Sequence, residues 1–112
     1  MKRNKIKKFD LIVIGGGSGG VRTARIASLH GAKVAICEKD KMGGTCVIRG
    51  CIPKKLLFYS SQLQSIFSYS DSYGWSTRSI KYDFLKMIKN KNKEITRLEK
   101  IYEKNIIASG AT

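Results

Sequence analysis

Acidic residues and long apolar runs are both scarce in this chain. Asp and Glu number 8 against 22 Lys and Arg, so the formal net charge is +14. The longest apolar run, Phe9 to Ile14, contains Asp10 and is far shorter than the roughly 20 residues that span a bilayer. The basic start, MKRNKIKK, is not followed by the apolar core of a secretory signal. We therefore expect a cytoplasmic protein without a membrane partner.

Cysteine and histidine are also few, which limits the kinds of site that the chain can build. There are 3 Cys and 1 His, whereas a structural zinc ion takes four ligands, usually from closely spaced pairs. A disulfide scaffold is unsuited to a chain without an export signal. The sequence predicts no metal site, and Cys37, within a predicted strand, is expected to be a buried and inert thiol.

The basic excess favours anionic partners, such as phosphate-bearing cofactors, carboxylate substrates or nucleic acid. The lysines are spread along segments such as KMIKNKNKEITRLEK and are not grouped with aromatic residues. Most of them are therefore interpreted as solvated side chains on helices, and we expect no nucleic-acid partner. A basic nucleic-acid-binding protein is an alternative that the charge alone supports.

The 112 residues are enough for one domain with a modest core. Residues 1–8 are predicted to form a basic tail, and residues 9–112 a single folded unit. Its first part, up to Glu38, has the pattern of a strand, a glycine turn, a helix and a second strand, which make a right-handed parallel βαβ unit. The helix is expected to stop at Gly31, a typical C-cap residue. Its predicted apolar face consists of Ala24, Ala27 and Leu29.

Helical spacing of apolar residues returns after the second strand. Residues 39–51 are predicted to be a glycine-rich loop, and the pattern is helical from Ile52 through Phe67. The segment SYSDSYGWS then separates this helix from a longer one over residues 82–107. The apolar stripe of the longer helix consists of Phe84, Ile88, Ile95, Leu98, Tyr102 and Ile106. Two strands with these helices leave apolar sheet faces uncovered, so we expect an α/β fold with an incomplete sheet.

The glycine turn has the spacing of a dinucleotide-binding fingerprint. Gly15, Gly17 and Gly20 follow a strand directly and open a helix. In this fingerprint the first glycine permits the tight turn, the second lets a pyrophosphate approach the backbone, and the third lets helix and strand pack closely. Glu38, at the end of the second strand, lies where an acid accepts hydrogen bonds from ribose hydroxyls. The pattern predicts a bound dinucleotide, FAD or NAD(P), without choosing between them.

The second motif is GGTCVIRGCIPKK, residues 43–55, in which four residues separate Cys46 from Cys51. A bridge that closes so short a loop constrains little of the unfolded chain, so a purely structural disulfide is a poor interpretation. The cysteines lie where loop becomes helix, and Lys54 and Lys55 add positive charge; both features favour a thiolate. The sequence therefore predicts a redox-active pair.

These motifs resemble those of the pyridine nucleotide–disulfide oxidoreductases, flavoenzymes that include the glutathione, thioredoxin, trypanothione and mercuric reductases and the lipoamide dehydrogenases. The Pro-Lys-Lys after the second cysteine, VIRG between the cysteines and GGGSGGVRTARIA at the turn are most similar to bacterial and plant glutathione reductases. The resemblance covers residues 9–112. It implies the N-terminal part of a Rossmann-like FAD-binding domain, with a βαβ unit, a redox-active helix and a long helical hairpin. FAD is then the implied cofactor.

The resemblance also implies roles for individual residues. Cys51 matches the thiol beside the flavin, and Cys46 matches the thiol that attacks the substrate disulfide; the oxidised pair is a disulfide. Lys54 matches a lysine at the flavin edge. The implied FAD contacts come from Gly15, Gly17, Ser18, Gly19, Gly20, Glu38, Thr45, Cys46 and Lys54. The implied contacts with glutathione disulfide come from Ser18, Arg25 and Tyr102.

Members of this family are homodimers of much longer chains, and they carry an NADPH domain and an interface domain. Neither domain is expected within these 112 residues. We therefore expect the N-terminal fragment of a glutathione-disulfide reductase, which uses NADPH and FAD to reduce glutathione disulfide and is inactive as a fragment. A related reductase of the thioredoxin or trypanothione type and a non-catalytic flavin-binding module are the alternatives.

Overall fold

The glycine turn lies between two parallel strands, as the sequence predicts. The computed structural model describes residues 6–77 and 79–112. Strand β1 (Leu11–Ile14) leads through the turn into helix α1 (Ser18–Leu29), which returns the chain to strand β2 (Val34–Cys37). The two strands pair in parallel, so the predicted βαβ unit is confirmed.

The predicted basic tail, residues 1–8, is only partly covered. Residues 1–5 lie outside the described residues. Residues 6–8 belong to no helix or strand, and their side chains are exposed.

Helix α1 ends where its sequence predicts. His30 is its C-cap residue, and Gly31 follows with a φ of 91°, in the left-handed region that glycine enters at little cost. On the predicted apolar face, Ala24 is buried and Ala27 is partly buried against the core. The prediction for Leu29 is wrong, since this side chain is 68% exposed. It lies about 140° around the helix from Ala24, on a different face from the one that packs on the sheet.

The segment after β2 is more helical than predicted. Residues 44 onward were expected to continue a loop, but helix α2 (Gly44–Arg49) forms there, and a break at Gly50 separates it from helix α3 (Cys51–Tyr69). A 3₁₀ turn (Ser70–Tyr73) ends α3. The predicted hairpin of a redox-active helix and a longer helix is confirmed, although the first arm has two segments.

Helix α4 (Phe84–Ala108) begins with a side-chain cap and ends close to its predicted boundary. The Asp83 carboxylate accepts a hydrogen bond from the Lys86 N–H at 2.9 Å, which satisfies one free donor of the first turn. The predicted apolar stripe is buried or partly buried, except for Phe84, which is 56% exposed. The exception lies in the first turn of α4.

The core lies between α1, the sheet and the C-terminal end of α4. Its buried side chains are Val21, Ala24, Val34, Ile106 and Ala111. Leu11 and Val13 pack against this cluster from one face of the sheet. On the opposite face Ile12 and Ile14 are exposed, at 58% and 89%. Within the described residues, the sheet is therefore covered on one side only. This agrees with the prediction that two strands and a few helices leave part of the sheet uncovered.

The end of the chain adds to the free edge of β2. The Thr112 N–H donates to the Val34 carbonyl at 3.0 Å, and the Ile36 N–H donates to the Thr112 carbonyl at 2.8 Å. This is the bonding pattern of a parallel bridge. The sheet has two strands with one bridge beyond them, and the prediction of an incomplete sheet is confirmed.

The helical hairpin makes the molecule elongated. The radius of gyration is 21.1 Å, against about 13 Å for a compact chain of this length. Helix α3, the segment between α3 and α4 and the first residue of α4 border an open groove of about 1030 Å³, to which Leu57, Leu63 and Phe67 contribute apolar surface. Across the residues that the structure describes, every helix is too short or too polar to cross a membrane.

Gly20 gives the first test of this fold, because it has no room for a side chain. A methyl group there would overlap the carbonyl oxygen of Gly15 and lie 3.2 Å from a methyl carbon of Val13. We expect Gly20→Ala to destabilise the chain by about 1–3 kcal/mol, because α1 must move away from β1. Urea unfolding followed by helical circular dichroism measures this change.

Gly19→Ala is the matched control. The added methyl group would meet no atom within 4 Å, and alanine in a helix should be neutral or stabilising by up to about 1 kcal/mol. Equal unfolding midpoints for the two variants would contradict the close packing of α1 on β1.

Candidate active site

The two glycine-rich segments of the sequence meet in the fold. The Gly43 N–H donates to the Gly16 carbonyl at 2.8 Å. A methyl group on Gly44 would come within 2.7 Å of the Gly17 Cα, so the two backbones touch directly. Gly43 and Gly44 also have φ values of 110° and 61°, which disfavour any side chain. We call this arrangement of the four glycines the glycine contact, and it places the start of α2 beside the turn after β1.

The turn itself presents open backbone. Side-chain positions at Gly15 and Gly19 have no atom within 4 Å. Gly17 is the N-cap residue of α1, and no side chain caps this helix end. The first N–H groups of α1 therefore lack intrahelical partners and lie at the positive end of the helix dipole. Such a cradle fits the phosphates of a dinucleotide. The predicted Ser18 also lies in this first turn, and Gly20 packs against β1.

Glu38 braces the turn from the end of β2. Its carboxylate accepts hydrogen bonds from the Gly16 N–H at 2.6 Å and from the Asp40 N–H at 2.9 Å. These two backbone hydrogen bonds, that of Gly16 above all, lower the pKa of Glu38. The carboxylate is thus held ionised beside the glycine turn. Its predicted contact with a ribose stays a prediction.

The cysteines are brought together by the break at Gly50. A side chain at Gly50 would come within 2.8 Å of the Thr45 carbonyl oxygen and 3.4 Å of the Cys46 Cα, so the chain can fold back only at glycine. Cys51 then opens α3, where the helix dipole favours a negative charge. Neither sulfur is joined in a disulfide within the residues that the structure describes.

The two thiols interact with each other. A hydrogen bond between the Cys46 and Cys51 side chains raises the pKa of Cys46, and burial of Cys46 raises it further. Cys46 is partly buried and Cys51 is exposed.

Other thiol and flavin-site predictions have mixed outcomes. Cys37 is exposed, so the prediction of a buried thiol is wrong. It is the last residue of β2 and lies in register with Ile14, on the exposed face of the sheet. Thr45 and Lys54 are exposed on α2 and α3, next to Cys46 and one turn after Cys51 respectively. Their predicted contacts with FAD stay predictions.

A cleft of about 440 Å³ separates α1 from α4, and we call it the α1–α4 cleft. Ser18 and Arg25 line it from α1, and Tyr102 lines it from α4. The fold thus brings together the three predicted substrate residues. Tyr102 also packs against the core, so it has both a structural and a lining position.

Sequence reasoning missed the two further polar lining residues, Arg22 and Asn105. Arg22 follows Ser18 by four residues and precedes Arg25 by three, so helical spacing alone would have placed the three on one side of α1. Asn105 has the same relation to Tyr102 on α4. Among residues 6–77 and 79–112, no three His, Cys, Asp or Glu side chains are grouped as metal ligands.

The bracing role of Glu38 has a pH-dependent consequence. A carboxyl whose pKa is lowered by folding contributes stability that is present above its ordinary value of 4.5 and is lost as pH falls through the folded value. We expect the free energy of unfolding of Glu38→Gln to be lower than that of the unmodified chain at neutral pH. The difference should narrow as the pH falls below the ordinary pKa of 4.5. Urea unfolding across this pH range measures the two free energies of unfolding. A difference that does not change with pH would contradict the bracing role of Glu38.

Comparisons with known proteins agree with this arrangement. The family model described as pyridine nucleotide-disulphide oxidoreductase matches residues 9–112. The glutathione reductase of Burkholderia cepacia is 54% identical over 88% of this chain. The chloroplastic/mitochondrial glutathione reductase of Pisum sativum is 46% identical over 91% of the chain, and that of a Nostoc strain is 45% identical over 84%.

The chain spans about a fifth of the length of these relatives, 22%, 20% and 20% respectively. The family match, in contrast, covers nearly all of the chain. This protein chain belongs to the pyridine nucleotide-disulphide oxidoreductase family.

Proposed function

We propose that this chain is the flavin-binding and disulfide-carrying part of a glutathione-disulfide reductase. The observation that carries the proposal is the glycine contact, because it joins the cysteine-bearing helices directly to a dinucleotide-type turn. The names of the similar proteins support glutathione disulfide as the substrate. Electrons would come from NADPH through a part of the enzyme outside these residues, and the working enzyme would be a homodimer.

The residues of the turn fit FAD as the dinucleotide. Free N–H groups at Ser18 and Gly19 would receive its pyrophosphate, and Glu38 lies beside them for a ribose. Thr45 and Lys54 lie on the two helices that carry the cysteines. When bound, FAD supplies an electron pair for reduction of a disulfide.

The cysteine pair then carries out thiol–disulfide exchange. Reduction of the Cys46–Cys51 disulfide consumes two electrons and leaves two sulfurs that share protons. The Cys46 thiolate attacks one sulfur of glutathione disulfide, so a Cys46–glutathione disulfide forms and one glutathione thiolate leaves. Cys51 next attacks Cys46, which releases the second glutathione and restores the internal disulfide. The side chains of Cys46 and Cys51 are hydrogen-bonded, so Cys51 is within reach of the sulfur that it must attack.

The α1–α4 cleft would hold the substrate during these steps. Arg25 offers a guanidinium group that can bind a carboxylate in a bidentate manner. Ser18 and Tyr102 supply hydroxyl groups on opposite walls. Glutathione carries carboxylates and amides that match these donors.

The proposal can be tested in a complete enzyme. Residues 9–112 are transplanted into the Burkholderia cepacia glutathione reductase in place of its matching segment, and the purified chimera is assayed with NADPH and glutathione disulfide. We expect an active, flavin-containing chimera, and we expect Cys46→Ser or Cys51→Ser to lower turnover about a thousandfold or more. The 112-residue chain alone should consume no NADPH.

Cys37→Ser is the matched control, since it removes the third thiol, which lies at the end of β2. It should leave both the flavin content and the turnover of the chimera unchanged. Turnover that survives loss of either Cys46 or Cys51 would refute the redox assignment, and a flavin-free chimera would refute the cofactor assignment.

A further inference from the structure

Helix α4 carries a stripe of basic side chains along the side that faces away from the fold. Its members follow one another at intervals of three or four residues, so they lie within an arc of about 80° around the helix axis. All of them are exposed. We call this set the basic stripe, and it consists of Lys86, Lys89, Lys93, Arg97, Lys100 and Lys104. The stripe extends over about 27 Å of the helix.

The arc of the stripe contains no other kind of side chain. Between Lys86 and Lys104, every residue of α4 that falls within the arc is basic. Ile95 and Ile106, the buried residues of α4, lie about 150° away, on the side that packs inward. The lysines are scattered along the sequence, but the helix collects them on a single line. Their interpretation as separate solvated side chains did not take this grouping into account.

Most of the charge of the basic stripe is uncompensated. Arg97 binds the Glu94 carboxylate at 2.7 Å. The second ion pair within residues 6–77 and 79–112 joins Arg49 to Asp40, so the five lysines of the stripe take part in none. Charges of one sign that are three or four residues apart on a helix repel each other. A bound row of negative charges would relieve this repulsion, so the stripe favours a polyanionic partner.

The linear shape of the basic stripe indicates which polyanion it fits. Its charges are spaced by about 4.5–6 Å along the axis of α4. Double-stranded nucleic acid presents an equally regular line of charge, with one phosphate per about 1.7 Å of its axis. Over the length of the stripe, enough phosphates are therefore available for every basic side chain. Contacts with phosphates alone need no particular base sequence.

Two other polyanionic partners match the stripe less well. A helix that lies in a membrane interface needs a free apolar face, whereas α4 uses its apolar face for packing, with Ile106 in the core. Proteins that bind single-stranded nucleic acid stack bases on aromatic side chains, and the stripe contains none. Contacts with the phosphates of a duplex need neither feature.

We propose that the basic stripe binds the phosphate backbone of double-stranded nucleic acid without reading its sequence. DNA and RNA duplexes share this chemistry. The inference goes beyond the proposed function and does not depend on it, because the stripe lies on the side of α4 opposite Tyr102, which lines the α1–α4 cleft. A row of charges without acidic partners is costly to bury, so we expect the stripe to stay accessible in the complete enzyme.

The chimera that carries residues 9–112 gives the test, and it excludes the basic residues 1–8. Its affinity for a random duplex of about 20 base pairs is measured by fluorescence anisotropy at a series of salt concentrations. The logarithm of the affinity should fall with the logarithm of the salt concentration, by about 0.9 for each phosphate contacted. The variant Lys89→Gln/Lys93→Gln should therefore make this slope shallower by about 2 and weaken binding at low salt at least about tenfold.

Two matched variants separate loss of the stripe from other effects. Lys39→Gln/Lys41→Gln removes two exposed lysines outside α4 and should leave the slope unchanged. Lys89→Arg/Lys93→Arg keeps the charge of the stripe and should keep the affinity. Urea unfolding checks that each variant is folded. The Lys89→Gln/Lys93→Gln variant should be at least as stable as the unmodified chimera, because it relieves repulsion within α4.

Binding to DNA or RNA duplexes of any sequence, with a slope that becomes shallower only when Lys89 and Lys93 are neutralised, is the expected result. Equal slopes for the two Gln variants would overturn the proposal, as would absence of binding to both kinds of duplex. Stronger binding to vesicles of anionic phospholipid, or to single strands, would overturn it in favour of those partners. None of these measurements requires turnover, so they are separate from the test of the proposed function.

Discussion

The contact between Gly16-Gly17 and Gly43-Gly44 is the constraint on which the rest of the site depends. One hydrogen bond and one backbone approach bring together two segments that are more than 20 residues apart in the chain. A side chain on Gly44 does not fit between them, and the left-handed conformations of Gly43 and Gly44 add a second requirement for glycine. The dinucleotide-type turn and the cysteine-bearing helices are therefore held as one unit. The electron transfer from a flavin to a disulfide that we propose for this chain would need such proximity.

Local sequence signals predicted the elements of this fold well, because each depends on neighbouring residues. An apolar strand, three spaced glycines and the stop at Gly31 determine the βαβ unit. The break at Gly50 was missed because α2 has only 6 residues, too few to show a helical repeat of apolar positions; the approach of Gly50 to Thr45 explains it. The sequence also did not predict which face of the sheet other elements would cover. Cys37 is exposed because it lies in register with Ile14, on the face of the sheet that no described element covers.

The sequence predicted the two motifs of the site, but it did not predict that they contact each other. The cysteine motif and the glycine turn each have a recognisable spacing, whereas their mutual contact depends on how the chain folds between them. Arg22 was overlooked because an arginine on a helix usually has no role beyond solvation. Only the position of α4 across from α1 makes its charge part of a cleft, whose lining residues among those described include no acid. Part of the excess positive charge thus lies in this cleft, which the net charge of +14 alone does not show.

Amide exchange at Gly43 tests the central claim most directly, because its N–H forms the hydrogen bond of the glycine contact. In the purified chain we expect this amide to be protected, and in Gly44→Ala to exchange at least about tenfold faster, since the methyl group pushes α2 away from Gly17. Gly74→Ala, at a left-handed glycine with open space around it, controls for backbone strain and should leave Gly43 protected. Equal exchange at Gly43 in all three proteins would contradict the account.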